Sequence, residues 1–103
     1  MIRNIVALRF RKDVTQARKD GLYGELDGLR SRLNGMLAFK AFTNVSVEQP
    51  LVRGFEDLFW ADFTDVSERD AYLTDPEHQR IGAALVAELE GGAEGVLVFD
   101  VAL

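Results

Sequence analysis

Four runs rich in β-branched and aromatic residues and two stretches with helical apolar spacing follow one another as β-α-β-β-α-β, with Gly or Pro at the joints. That order is the split pattern of a ferredoxin-like sandwich. The 103 residues suffice for one domain and not for two, and a 48% hydrophobic content supplies a core. The predicted fold class is therefore α+β, a ferredoxin-like sandwich with an antiparallel four-stranded sheet, occupying residues 1–103.

Each element has its own warrant. Ile2 to Phe10 reads as a strand with Asn4, Val6, Leu8 and Phe10 on one side and Arg3, Ile5, Ala7 and Arg9 on the other. Thr15 can cap a helix running to about Leu33, since Leu22, Leu26, Leu29 and Leu33 recur at helical spacing and Asn34-Gly35 stops it. Gly21, Gly24 and Gly28 weaken that helix by ~1 kcal/mol each, so they signal either close packing or a helix that frays or starts late. Met36 to Val47 is a second strand, and the polar residues 46–54 form a loop. Phe55 to Thr64 is a third strand. Ser67 and Asp70 read as a capping box for a short helix to Leu73. Asp75-Pro76 restarts the chain as N-cap and first helical residue of a helix ending near Leu89. Gly91-Gly92 breaks it, and Val96 to Val101 is the final strand.

Two helices cover one face of such a sheet, yet the strands carry large apolar residues on both. Leu58 and Trp60 oppose Phe59 and Phe63, and the last strand is apolar nearly throughout. The uncovered face exceeds what monomers usually tolerate, so a homodimer joined through the sheet faces is expected.

Composition narrows the function classes. The net charge of −5 disfavours a nucleic-acid partner. Residues 1–54 hold ten basic and five acidic side chains, and residues 55–103 hold two and twelve. Arg9, Arg11, Lys12, Arg18 and Lys19 therefore form either a basic binding patch or one half of ion pairs spanning the fold. With no cysteine there is no disulfide, thiolate metal site or Cys nucleophile, and one histidine precludes a multi-histidine site in one chain. No metal site is expected, since no EF-hand spacing occurs, and Gly91, Gly92 and Gly95 lack the Lys and Ser/Thr of a phosphate loop. Ser31, Ser46 and Ser67 lack a nucleophile's context. No window approaches the roughly 20 apolar residues of a membrane span, and no secretory leader pattern is present, so no membrane association and a cytoplasmic location are expected.

The chemistry centres on His78, the one side chain whose ordinary pKa lies near neutrality. His78, Ile81, Leu85 and Leu89 share a helical face, which turns the imidazole toward apolar surroundings. A desolvated histidine at a helix N-terminus favours its neutral form and can act as a base. The alternative is a core histidine that only hydrogen-bonds a neighbour. Asp57 shares a strand face with Phe55, Phe59 and Phe63, so it either takes His78 as a partner or stays wet at the strand's start. Asn4, Val6, Leu8 and Phe59 are candidate ligand-lining residues. Tyr72 supplies a phenolic hydroxyl, unless it merely packs and bonds backbone.

The segments IRNIVALRF, GFEDLFWADF, AYLTDPEH and VLVFDV, in that order, resemble the stress-responsive A/B barrel domain family over about residues 2–101. The resemblance implies a dimeric α+β barrel made of two ferredoxin-like subunits, in a family where most members have no established activity. It extends distantly to olivetolic acid cyclase, in which a tyrosine and a histidine at the rim of an apolar cavity perform a cofactor-free aldol condensation. Those two fall on Tyr72 and His78, so the resemblance implies these two as catalytic residues and no cofactor; Asp57, from its place on the strand face, is the third catalytic candidate. Family members often carry histidine where this chain has Asn4, Asp57 and Asp75. The expected activity is binding or conversion of a small apolar carbonyl or aromatic compound near His78. The competing expectation is a non-catalytic stress or assembly protein whose dimeric barrel is structural.

Overall fold

The computed structural model describes all 103 residues. The elements are β1 (Ile2–Leu8), α1 (Gln16–Gly28), β2 (Met36–Thr43), the short α2 (Gln49–Val52), β3 (Asp57–Phe63), α3 (Val66–Thr74), α4 (Pro76–Val86) and β4 (Val96–Ala102). The four strands form one antiparallel sheet in the order β2-β3-β1-β4, the predicted ferredoxin-like topology. Right-handed crossovers put α1 and the α3–α4 pair on the same face. No helix is long and apolar enough to cross a membrane.

Register sorts the strand residues. Val6 lies between Phe59 and Val98, and Asn4 lies between Ala61 and Asp100, all on the helix-covered face. Ile5 lies between Trp60 and Phe99, and Ala7 between Leu58 and Leu97, on the opposite face. The core packs Leu8, Phe59, Ala61 and Phe63 beneath Leu22 and Leu26 of α1, Tyr72 of α3, and Ile81 and Leu85 of α4.

Several boundaries differ from expectation. β1 ends at Leu8, and Phe10 makes only an isolated bridge to Leu89. The Leu22-to-Leu33 periodicity continues past α1 as a 3-10 turn at Leu29–Ser31, after the third of the helix's glycines. A Cβ at Gly21, Gly24 or Gly28 would meet no atom within 4 Å, so close packing is not their role. β2 stops at Thr43, and the polar loop holds the α2 turn, which ends in left-handed Arg53 and Gly54. Asp65 rather than Ser67 caps α3, because its carboxylate accepts the Glu68 N–H at 2.9 Å. Gly95 meets a real steric demand, since a Cβ there would lie 2.8 Å from the Glu90 carbonyl oxygen. That close approach lets the turn after α4 dock on β1, with the Arg9 N–H donating to the Gly95 carbonyl at 2.9 Å.

Five of the ten basic residues of the N-terminal half find acidic partners across the fold, Arg3 with Asp62 among them. Arg11 and Arg18 both reach Glu88, Lys19 reaches Asp57, and Arg32 reaches Asp75. Of the five residues of the candidate basic patch, Arg11, Arg18 and Lys19 are thus engaged in ion pairs, whereas Arg9 and Lys12 have no acidic partner.

Candidate functional site

The α3–α4 corner is built around one carboxylate. Asp75 ends α3 and caps α4, accepting the His78 N–H at 2.9 Å. Arg32 grips the same carboxylate from the segment after α1, at 2.6 and 2.8 Å. These contacts hold the Asp75 carboxyl well below the usual carboxylate range, the Arg32 hydrogen bonds being the largest cause. Expectation placed Asp75 as a cap, and the structure adds its clamp by Arg32, which lies 43 residues away in sequence.

The corner presents Tyr72 and His78 side by side, their ring centroids 3.9 Å apart and their planes inclined by 39°. Phe63 backs the tyrosine at 4.9 Å. Both rings border a cavity of about 170 Å³ between the helices and the sheet, lined also by Asn4, Val6, Phe59 and Val98. Its walls are mostly apolar. Val98, on the edge strand β4, is 57% exposed, so the cavity meets solvent there. Gly82, one helical turn past His78, also borders it, and a Cβ there would meet no atom within 4 Å. The i, i+4 spacing of His78 and Gly82 is a signal of open space that reading apolar periodicity alone passes over.

On the two ring residues that border this cavity, the Tyr72 hydroxyl oxygen and His78 Nδ1 are buried without any hydrogen-bond partner in the chain. Burial is the largest influence on His78 and pushes its pKa down, against smaller upward pulls from Asp75 and the Leu73 carbonyl. Burial likewise pushes the Tyr72 phenol up. Near neutral pH the corner therefore holds a neutral imidazole and a protonated phenol. Together they can supply one basic nitrogen and one hydroxyl donor to a bound molecule.

A family model, that of the stress responsive A/B barrel domain, matches residues 2–103. The chain belongs to that family. This A/B barrel domain is similar to a dimeric ferredoxin-like protein of unknown function from Jannaschia sp. CCS1, at 33% identity and a TM-score of 0.88, over 99% of this chain and 98% of that one. It also shares its fold with an Arabidopsis thaliana protein, at 21% identity and a TM-score of 0.87, over 100% and 95% of the two chains. A hydroxynitrile lyase from Passiflora edulis has the same fold, at 16% identity and a TM-score of 0.81, over 99% and 92%. No protein of curated function matches this chain in sequence.

Against the sequence expectations, the A/B barrel domain brings Asn4, Val6, Phe59, Tyr72 and His78 to one cavity. Asp57 and Leu8 are not part of it. Leu8 is fully enclosed in the core, where neighbouring strands and helices leave no space. Asp57 is buried, but its partner is Lys19 Nζ at 3.0 Å rather than His78. The reason is register: Asp57 pairs with Leu8 at the end of β1 remote from Asn4, beneath α1 rather than beneath the α3–α4 corner. It faces a smaller recess of about 130 Å³ beside Tyr23. No three His, Asp or Glu side chains converge anywhere as potential metal ligands.

Proposed function

We propose that the domain works as a homodimer joined sheet to sheet, each subunit binding a small apolar carbonyl or aromatic compound beside His78 and converting it by proton transfer. The observation that carries this reading is the pair of unpartnered buried atoms, Tyr72 Oη and His78 Nδ1, on two residues that border a mostly apolar cavity. A buried polar group without a partner costs about 1–3 kcal/mol, and a ligand that satisfies it recovers that loss. His78 is the base and Tyr72 the orienting donor. At about 170 Å³ the cavity matches a single ring, since a dry engineered cavity of roughly 150 Å³ takes up benzene. The hydroxynitrile lyase on this fold supports the reading by fold analogy alone. The homodimer rests on the apolar face left bare by the helices and on the dimeric Jannaschia relative.

Gly82→Leu tests the proposal by filling the cavity from a helix position with room for a side chain. A single-ring ligand at 100 times its Kd should stabilise the native protein by ~2.7 kcal/mol. The variant should lose that ligand-dependent stabilisation while gaining up to ~1 kcal/mol of its own from the removed glycine. Equal ligand response in both proteins would place binding elsewhere.

A further inference from the structure

The third polar residue on the cavity, Asn4, is held by a charged pair outside it. Asn4 Nδ2 donates to Asp100 Oδ1 at 2.6 Å, across the β1–β4 register, and Arg69 of α3 donates to the other oxygen of Asp100. Arg69 is itself anchored by Asp70 at 3.0 Å. A carboxylate paired with a guanidinium can only accept hydrogen bonds, so Asp100 admits just one orientation of the Asn4 amide, with the NH₂ toward itself. The amide oxygen is then turned the other way. No donor in the chain reaches Asn4 Oδ1, and Asn4 is 4% exposed and borders the cavity.

We propose that the Arg69–Asp100 pair is a positioning device that presents Asn4 Oδ1 to the cavity as a fixed acceptor, selecting ligands whose ring carries a hydroxyl able to donate. This rests on the cavity reading above and adds the ligand's chemical class: a single-ring phenol or alcohol. Without Asp100 the amide could turn and offer either end. With it, a ligand lacking a donor leaves Asn4 Oδ1 desolvated and unsatisfied, and polar groups left in that state are what give such sites their discrimination. Neither Arg69 nor Asp100 borders the cavity, so neither touches the ligand.

The experiment compares calorimetric binding of phenol and toluene, which have similar size and differ in the donor. The wild type, Asp100→Asn and Asn4→Leu are titrated with both. Asp100→Asn is isosteric and lies on a solvent-facing edge strand. It should reduce the phenol-over-toluene preference roughly fivefold, the worth of one hydrogen bond, while toluene binds as in the wild type. Asn4→Leu should remove the same preference by deleting the acceptor. An Asp100→Asn protein with the wild-type preference overturns the positioning role and leaves the cavity reading intact. Failure of both probes to bind the wild type overturns the two together.

Discussion

The two faces of the sheet are made by alternate residues of the same four strands, and the chain treats them oppositely. On one face Val6, Leu8, Phe59, Ala61 and Phe63 lie under helices and are at most 8% exposed. On the other, Phe42, Leu97 and Phe99 remain 40–56% exposed. That face is apolar but not featureless. Arg3 lies 4.6 Å over the Trp60 ring and pairs with Asp62 at 2.8 and 3.0 Å. The difference teaches that period-2 alternation can make both sides of a sheet hydrophobic, whereas crossover handedness decides that helices cover only one. The covered face opens into an apolar cavity where its packing stops short, at the α3–α4 corner.

The comparison can be broken most severely from the bare face. Phe99→Glu places a charge on that surface without touching the helix side. Light scattering at micromolar concentration should show the particle mass fall to that of one 11.5 kDa chain, which requires the association free energy to fall below about 8 kcal/mol. A dimer surviving that change would put the interface somewhere other than the sheet. The covered face should answer differently. Phe63→Ala, at a fully enclosed position, should lower unfolding free energy in denaturant titrations by about 3–5 kcal/mol, while the particle mass in water stays that of the unmutated protein.

A smaller effect separates the two ends of the covered face. Asp57→Leu strands the Lys19 ammonium, which is 17% exposed, and should cost ~2 kcal/mol after discounting for its contact with water. Adding Lys19→Met should recover most of that loss, and a double-mutant cycle measures it. No recovery would mean that Asp57 serves something other than Lys19. Acid acts on the corner through two groups. Because His78 is shifted down in the folded state, the unfolded chain binds its proton first, so stability is complete above the ordinary histidine range and declines as pH falls through about 6.5. Asp75, also shifted down, adds a second loss as pH drops below about 4. The upper step should vanish in His78→Gln, read from denaturation midpoints at successive pH values, and the lower one should remain.

By itself the sequence determined the element order, the two apolar faces and the placing of Tyr72 and His78 around the Asp75-Pro76 break. All three follow from local spacing, since periods of 2 and 3.6 and the chemistry of caps act over a few residues. The expected ends of β1, β2 and α1 were too far along because a composition suited to a strand or helix continues past the point where its partner runs out. Tertiary structure alone decided which polar groups meet. Lys19 takes Asp57, Arg32 takes Asp75, and Arg69 with Asp100 takes Asn4, at separations of 31 to 96 residues. An ion pair or a fixed amide depends on register between strands and on helix placement over them, and nothing in the spacing along one segment encodes either. The cavity belongs to the same class, because empty space is a property of what fails to meet across the core. His78 and Gly82 stand four residues apart in the sequence, but only their position opposite Val6 and Val98 turns that spacing into a cavity wall.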